Sequence, residues 1–188
     1  MNNIVRRAPD PYQKRCAFTG YRLQKMPWAF DESDPQCLQF KTMLRATIET
    51  LIEQGYTHFL SGGAMGMDMY AAEMVLDLRS QYPQITLEMV SPYDKQAEKW
   101  TPDLRARHDQ LFERADVVTV VSHEYTKGCM FKRNRYLVVN ADLLLAAYDG
   151  QPGGTKMTID IAKEMNVPVW RLEPSAKSHS TNLSAIAM

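Results

Sequence analysis

The sequence predicts an α/β fold: a doubly wound, mostly parallel sheet with helices on both faces. Three observations carry this reading. Short apolar runs alternate with segments of helical spacing between Lys14 and Leu172. Two glycine-rich turns, Ser61-Gly62-Gly63-Ala64-Met65-Gly66 and Gly150-Gln151-Pro152-Gly153-Gly154, each separate an apolar run from a helical segment. The length of 188 residues, with 45% hydrophobic and 23% charged residues, suits one globular domain with a substantial core.

Residues 1–13 hold Pro9 and Pro11 without periodicity and read as a flexible arm. Lys14 to Thr19 is a short strand through Cys16-Ala17-Phe18, closing at Thr19-Gly20, and residues 21–33 form a loop. Asp34-Pro35 starts a helix, because aspartate caps and proline suits the first helical position. Met43, Leu44, Ile48, Leu51 and Ile52 keep the helical spacing, and Gly55 ends it. Thr57 to Leu60 is a second strand, and the first glycine turn follows. Ala71, Ala72, Val75, Leu76 and Leu78 mark a helix closed before Pro83, and Ile85 to Val90 is a third strand. A polar helical segment runs over about residues 95–114. The apolar run Asp116 to Val121 predicts a strand covered on both faces. A loop at 122–132 leads to a helix over Arg133–Ala141 and a buried strand over Leu143–Ala147. After the second glycine turn come a helix over Lys156–Met165 and a strand over Val167–Leu172. The chain thus reads as one domain over 14–172, with a flexible tail at 173–188 that is rich in Ser, Ala and Asn.

Composition excludes several classes. Lys+Arg 22 balance Asp+Glu 22, so no global basic footprint for nucleic acid exists, although a local one stays open. Three cysteines, Cys16, Cys37 and Cys129, lack metal-site or disulfide-framework spacing and suit reduced thiols in a cytoplasm. His58, His108, His123 and His179 show no ligand spacing, so no metal is expected. No apolar run reaches membrane-span length, and no apolar region follows the N-terminal arginines as in a signal peptide.

In a parallel sheet, ligands bind beyond the carboxyl ends of the strands, where strand order reverses. Four turns would share that edge: Thr19-Gly20-Tyr21-Arg22, the Ser61 turn, Ser91-Pro92-Tyr93 and the Gly153 turn. Gly62, Gly63, Gly66, Gly153 and Gly154 could present backbone N–H groups to phosphate at helix N-termini, or could serve turn geometry alone. The first stretch lacks both the G-x-G-x-x-G pattern and the Lys-Ser/Thr ending of a P-loop, so it suggests an anion without naming one. Arg22 suits bidentate phosphate pairing, with a solvated arginine as the alternative. Thr155 and Thr158 start a helix as caps or as phosphate contacts. Asp68 is a helix-start acid or a contact to a ribose or base. Glu73 lies about 140° further round the helix, which makes the pair Asp68 and Glu73 a weak catalytic candidate. Tyr93 and Trp100 suit base stacking or core packing. Residues 125–136 interleave Tyr125, Lys127, Lys132, Arg133, Arg135 and Tyr136, fitting either a nucleic-acid strand or a loop over a nucleotide pocket. The neutral net charge favours the second, with Arg133 and Asn134 serving structure.

Four motifs occur together and in order: Thr19-Gly20-x-Arg22, Ser61-Gly62-Gly63-Ala64-x-Gly66-x-Asp68, Arg133-Asn134-Arg135-Tyr136 and Gly153-Gly154-Thr155-x-x-Thr158. The set, spanning about residues 14–172, resembles the SLOG superfamily of Rossmann-like domains, and within it the bacterial YpsA-like family of unknown function. The Ser61–Asp68 and Arg133–Arg135 motifs are similar to those of DprA, which binds single-stranded DNA. The last motif is similar to that of LOG-type phosphoribohydrolases, shortened by two residues and with Thr158 in place of a catalytic glutamate. That replacement counts against N-glycosidic hydrolysis. The resemblance implies a nucleotide-binding sensor or regulatory domain, with an ADP-ribose-, NAD- or nucleoside-phosphate-like ligand and no other cofactor evident. A LOG-like nucleotide hydrolase and a DprA-like strand binder are the alternatives, so enzymatic activity and self-association both stay open.

Overall fold

A computed structural model describes residues 13–174. The arm and the tail therefore lie outside the described residues, apart from Gln13, Glu173 and Pro174.

Six strands form one fully parallel sheet: β1 (Lys14–Gly20), β2 (Tyr56–Ser61), β3 (Thr86–Ser91), β4 (Val117–Val120), β5 (Leu143–Ala147) and β6 (Val169–Leu172). Their order across the sheet is β4-β3-β2-β1-β5-β6. Helices α1 (Pro35–Glu53), α2 (Met67–Leu78), α3 (Pro102–Arg114), α4 (Cys129–Val139) and α5 (Gly154–Glu164) make the crossovers. α2 packs on α1 and α3, while α4 packs on α5, and α2 and α4 each reach β1 and β3. Two helical layers thus sandwich the sheet, which explains why β5 is buried along its whole length. Asp34 caps α1 as expected, its Oδ1 accepting from the Gln36 N–H at 2.7 Å.

Three expectations are corrected. The strand expected to be covered on both faces, β4, is the outermost one, and Val118 and Val120 are 49% and 38% exposed. It has one neighbour, and α3 packs mainly on α2 rather than over it. An unbroken valine run cannot distinguish an edge strand from a central one. The helix expected from about residue 95 begins at Pro102, because residues 95–100 close into turns through Glu98 N–H to Lys95 O and Trp100 N–H to Ala97 O. Conversely α4 begins at Cys129, four residues early, after the left-handed Gly128. That places Arg133 and Asn134 inside a helix rather than at its start.

Candidate functional site

Strand order reverses between β1 and β5: the chain steps outward through β2, β3 and β4, then crosses to the far side of β1. A cavity of about 350 Å³ opens beyond the carboxyl ends of these two strands, the position where parallel sheets bind ligands. Four segments converge on it. The β1 end and the following turn bring Thr19, Gly20 and Arg22. The start of α2 brings Asp68, α4 brings Arg133 and Asn134, and α5 brings Gly153, Gly154, Thr155 and Thr158.

The two glycine turns differ in what their N–H groups face. The first is closed by protein acceptors. Gly63 N–H donates to Ser61 Oγ (3.2 Å), Ala64 N–H to Asp68 Oδ2 (3.4 Å) and Met67 N–H to the Tyr21 carbonyl (3.2 Å). The Ser61 hydroxyl donates in turn to the Asp68 carbonyl at 2.8 Å. Asp68 thus supplies the carboxylate that a helix N-terminus attracts, and of this turn Ala64 alone lines the cavity. Ser61, Gly62, Gly63 and Gly66 lie behind the wall.

Close approach explains two of these glycines. A Cβ on Gly66, where φ is +97°, would stand 2.5 Å from the Tyr21 carbonyl oxygen. A Cβ on Gly62 would stand 1.3 Å from Arg133 Nη1 and 2.8 Å from Asp68 Oδ2. Gly62 is the floor over which the Arg133 guanidinium reaches Asp68. The second turn is open by contrast. Gly153 and Gly154 are exposed at the head of α5, whose leading N–H groups have no acceptor within the helix.

Arg133 and Asp68 form a buried ion pair, Nη1 to Oδ2 at 3.2 Å, with each side chain 7% exposed. One such contact offsets little of the desolvation cost of two ions. Burial accordingly pushes the Asp68 carboxyl up, against the opposing pull of Arg133, the Ala64 N–H and Arg22. Burial likewise pushes the Arg133 guanidinium down. Arg133 Nε is buried with no hydrogen-bond partner among the described residues. Arg22 is exposed, and its guanidinium makes no hydrogen bond or ion pair among the described residues. Lys25, from the short 3-10 turn Leu23–Lys25, joins the lining, its ammonium donating to the Pro152 carbonyl at 3.3 Å. Sequence reading missed Lys25, since nothing in its neighbours marks a turn that folds back onto the second glycine loop. Among the described residues Asp68 is the one acidic residue in the lining. The Thr158 hydroxyl, 1% exposed, donates to the Gly154 carbonyl at 2.9 Å and is consumed by its own helix.

Other candidates lie elsewhere. Glu73 is held by Arg107, which also pairs with Glu32, so Glu73 does not converge with Asp68. Tyr93 lines a neighbouring cavity of about 570 Å³ with Trp100 and Tyr125. Lys127, Lys132 and Arg135 are exposed. His58 lies 3.0 Å from Glu88 Oε2, in a buried cluster that also holds Thr119 and Tyr136. Among the described residues no group of three His, Cys, Asp or Glu side chains is placed to hold a metal. No helix there is long and apolar enough to cross a membrane.

Comparison with known proteins adds the family context. The model of the YspA SLOG family matches residues 16–172. A UPF0398 protein of Bacillus pumilus (strain SAFR-032) is 31% identical over 144 residues, covering 76% of this chain and 77% of that protein. A UPF0398 protein of Bacillus cereus (strain G9842) is 29% identical over 154 residues, covering 80% and 83%. Among solved structures, DNA processing protein A from Helicobacter pylori, described for its single-stranded DNA binding mode, superposes with a TM-score of 0.61 at 16% identity, covering 96% of this chain and 77% of that one. DprA from Streptococcus pneumoniae gives 0.58 at 17% identity, covering 92% and 53%. At such identities the two structures share the fold with this chain.

Proposed function

The chain belongs to the YspA SLOG family, and on that footing we propose that its switch-point cavity binds a nucleotide or nucleotide-derived ligand as a sensor or regulatory domain. One observation carries the reading. Arg133 Nε is buried without a partner in the wall of a cavity that also holds unpaired Arg22 and the open head of α5. A phosphate there would receive backbone N–H groups from the second glycine turn and guanidinium donors from two arginines. Arg22, Lys25 and Arg133 against Asp68 give the lining a net charge of +2, counting side chains. The volume of about 350 Å³ lies in the range of small-ligand pockets. Binding without turnover fits better than hydrolysis, because the one lining carboxylate among the described residues is tied to Arg133 and the Thr158 hydroxyl donates within its own helix.

A second reading, contact with single-stranded nucleic acid, is favoured by exposed Lys127, Lys132, Arg135 and Tyr125 on α4 and the loop before it and by the DNA-binding structural neighbour.

Thermal unfolding against AMP, ADP, NAD, ADP-ribose and short oligo-dT tests both. A ligand at 100 times its Kd adds about 2.7 kcal/mol of stability. The proposal expects such a shift with a mononucleotide or dinucleotide, lost in Arg22→Ala. Silence with every nucleotide would refute it. A shift with oligo-dT alone, falling steeply with salt, would install the second reading.

A further inference from the structure

Resting on that nucleotide reading, we infer that the ligand is bipartite: a dinucleotide-class molecule whose phosphates sit in the switch-point cavity and whose second base stacks in the neighbouring aromatic cavity. The two cavities share Arg22 and Met130 as lining residues, so Arg22 stands where one compartment passes into the other. Apart from Arg22, the larger compartment balances Lys95 and Lys99 against Glu98 and Glu124. With the shared Arg22 set aside from both linings, it offers a phosphate no net charge, against +1 next door from Lys25 and Arg133 less Asp68.

What the larger compartment does offer is aromatic surface. Tyr125 is 70% exposed, and its ring is held edge-on to Tyr93, with centroids 5.4 Å apart and planes at 83°. Trp100 also lines this compartment, its ring in a T-shaped contact with His108 at 5.3 Å. A tyrosine ring held by one aromatic neighbour and otherwise mostly exposed is a stacking platform, and leaving it in water forgoes the burial of its apolar area. The division of labour follows from the two linings. The cationic compartment takes the anionic linker, the neutral aromatic one takes an uncharged ring, and Arg22 reaches a phosphate between them. The combined space is more than one mononucleotide needs.

Calorimetric titration of the full chain with AMP, ADP and diadenosine 5′,5′-diphosphate tests this, with an eight-residue oligo-dA as the fourth probe. ADP carries more negative charge than the diadenosine compound, so tighter binding of the latter reports the second adenosine. Base stacking on an aromatic ring gives an expected gain of about tenfold over ADP. Tyr125→Ala should remove that gain and leave the ADP affinity unchanged, while Tyr125→Phe should keep it. Because Tyr125 is mostly exposed, neither change threatens the fold. ADP binding with no gain from the second adenosine would overturn the inference and spare the nucleotide reading. Loss of ADP and diadenosine affinity in equal measure in Tyr125→Ala would overturn it too. Affinity that climbs far above the dinucleotide for the eight-residue strand would replace the small ligand by nucleic acid. Failure of all four probes would overturn the nucleotide reading and this inference with it.

Discussion

Gly62→Ala is a substitution of one methyl group whose whole effect should be exerted on a different residue. The added Cβ would occupy the Arg133 Nη1 position, at 1.3 Å, and its three nearest atoms all belong to the side chains of Arg133 and Asp68. The guanidinium must swing away, and Asp68, 7% exposed at its side chain, loses its ion-pair partner and keeps only the long Ala64 N–H contact at 3.4 Å. A buried carboxylate without its ion-pair partner escapes by taking up a proton, and that escape sets a ceiling on the damage. From the ordinary value of 3.8, protonation at pH 7 costs about 4 kcal/mol, and at pH 5 about 1.6 kcal/mol, at 1.36 kcal/mol per pH unit. The measured cost of breaking a buried pair, about 3–5 kcal/mol, is of the same size. Urea unfolding of wild type and Gly62→Ala at both pH values, with m compared to confirm two-state behaviour, should show a loss that more than halves at pH 5. Arg133→Met should behave alike, and the double variant should lose little more than either single one. A loss that does not depend on pH, or additive losses, would refute the reasoning.

The buried Glu88 predicts the opposite pH behaviour. Burial pushes its carboxyl up, but hydrogen bonds from His58, Thr119 and Tyr136 together outweigh this and hold it at about 2, against an ordinary 4.5. A depressed carboxyl stabilises the fold above pH 4.5 and loses that contribution as pH falls toward 2. At 1.36 kcal/mol per pH unit the contribution is about 3 kcal/mol, so Glu88→Gln should cost that much at pH 7 and flatten the acid limb of a stability–pH curve. An unchanged acid limb would count against the cluster. Gly66→Ala combines φ of +97° with a Cβ 2.5 Å from the Tyr21 carbonyl, and a loss of about 2–4 kcal/mol in chemical denaturation is expected. Gly128→Ala has a similar φ of +99° but no atom within 4 Å; its loss should be nearer 1 kcal/mol. Equal losses would mean that strain alone, without the clash, sets the requirement for glycine at residue 66.

Local signals in the sequence are enough to identify the parallel sheet and the edge at which its glycine turns gather. The Asp34-Pro35 start, the apolar Leu143–Ala147 run and the glycines after β2 and β5 each depend on neighbours within a turn or two. The same glycines were harder to interpret. Gly62 and Gly153 look alike along the chain, yet one is the floor beneath Arg133 and the other is exposed at the head of a helix. That difference depends on α4, which lies far away in the chain. Val118 and Val120 read as core because an apolar run carries no information on how many neighbours a strand has. Glu88 sits in mid-strand at 1% exposure, and its partners His58, Thr119 and Tyr136 come from β2, β4 and α4, which no pattern within β3 announces. Tyr93 and Tyr125 each drew notice, but their edge-on contact joins the ends of two different strands.

The placement of phosphate at the second glycine turn rather than the first is best tested by amide chemical shifts during an ADP titration. The largest displacements are expected at Gly154, Thr155 and Arg22, which line the cavity, with little change at Gly63 and Gly66. Large shifts at Gly63 and Gly66, with Gly154 and Thr155 unmoved, would contradict this placement: the anion would then have displaced Asp68 from the first turn.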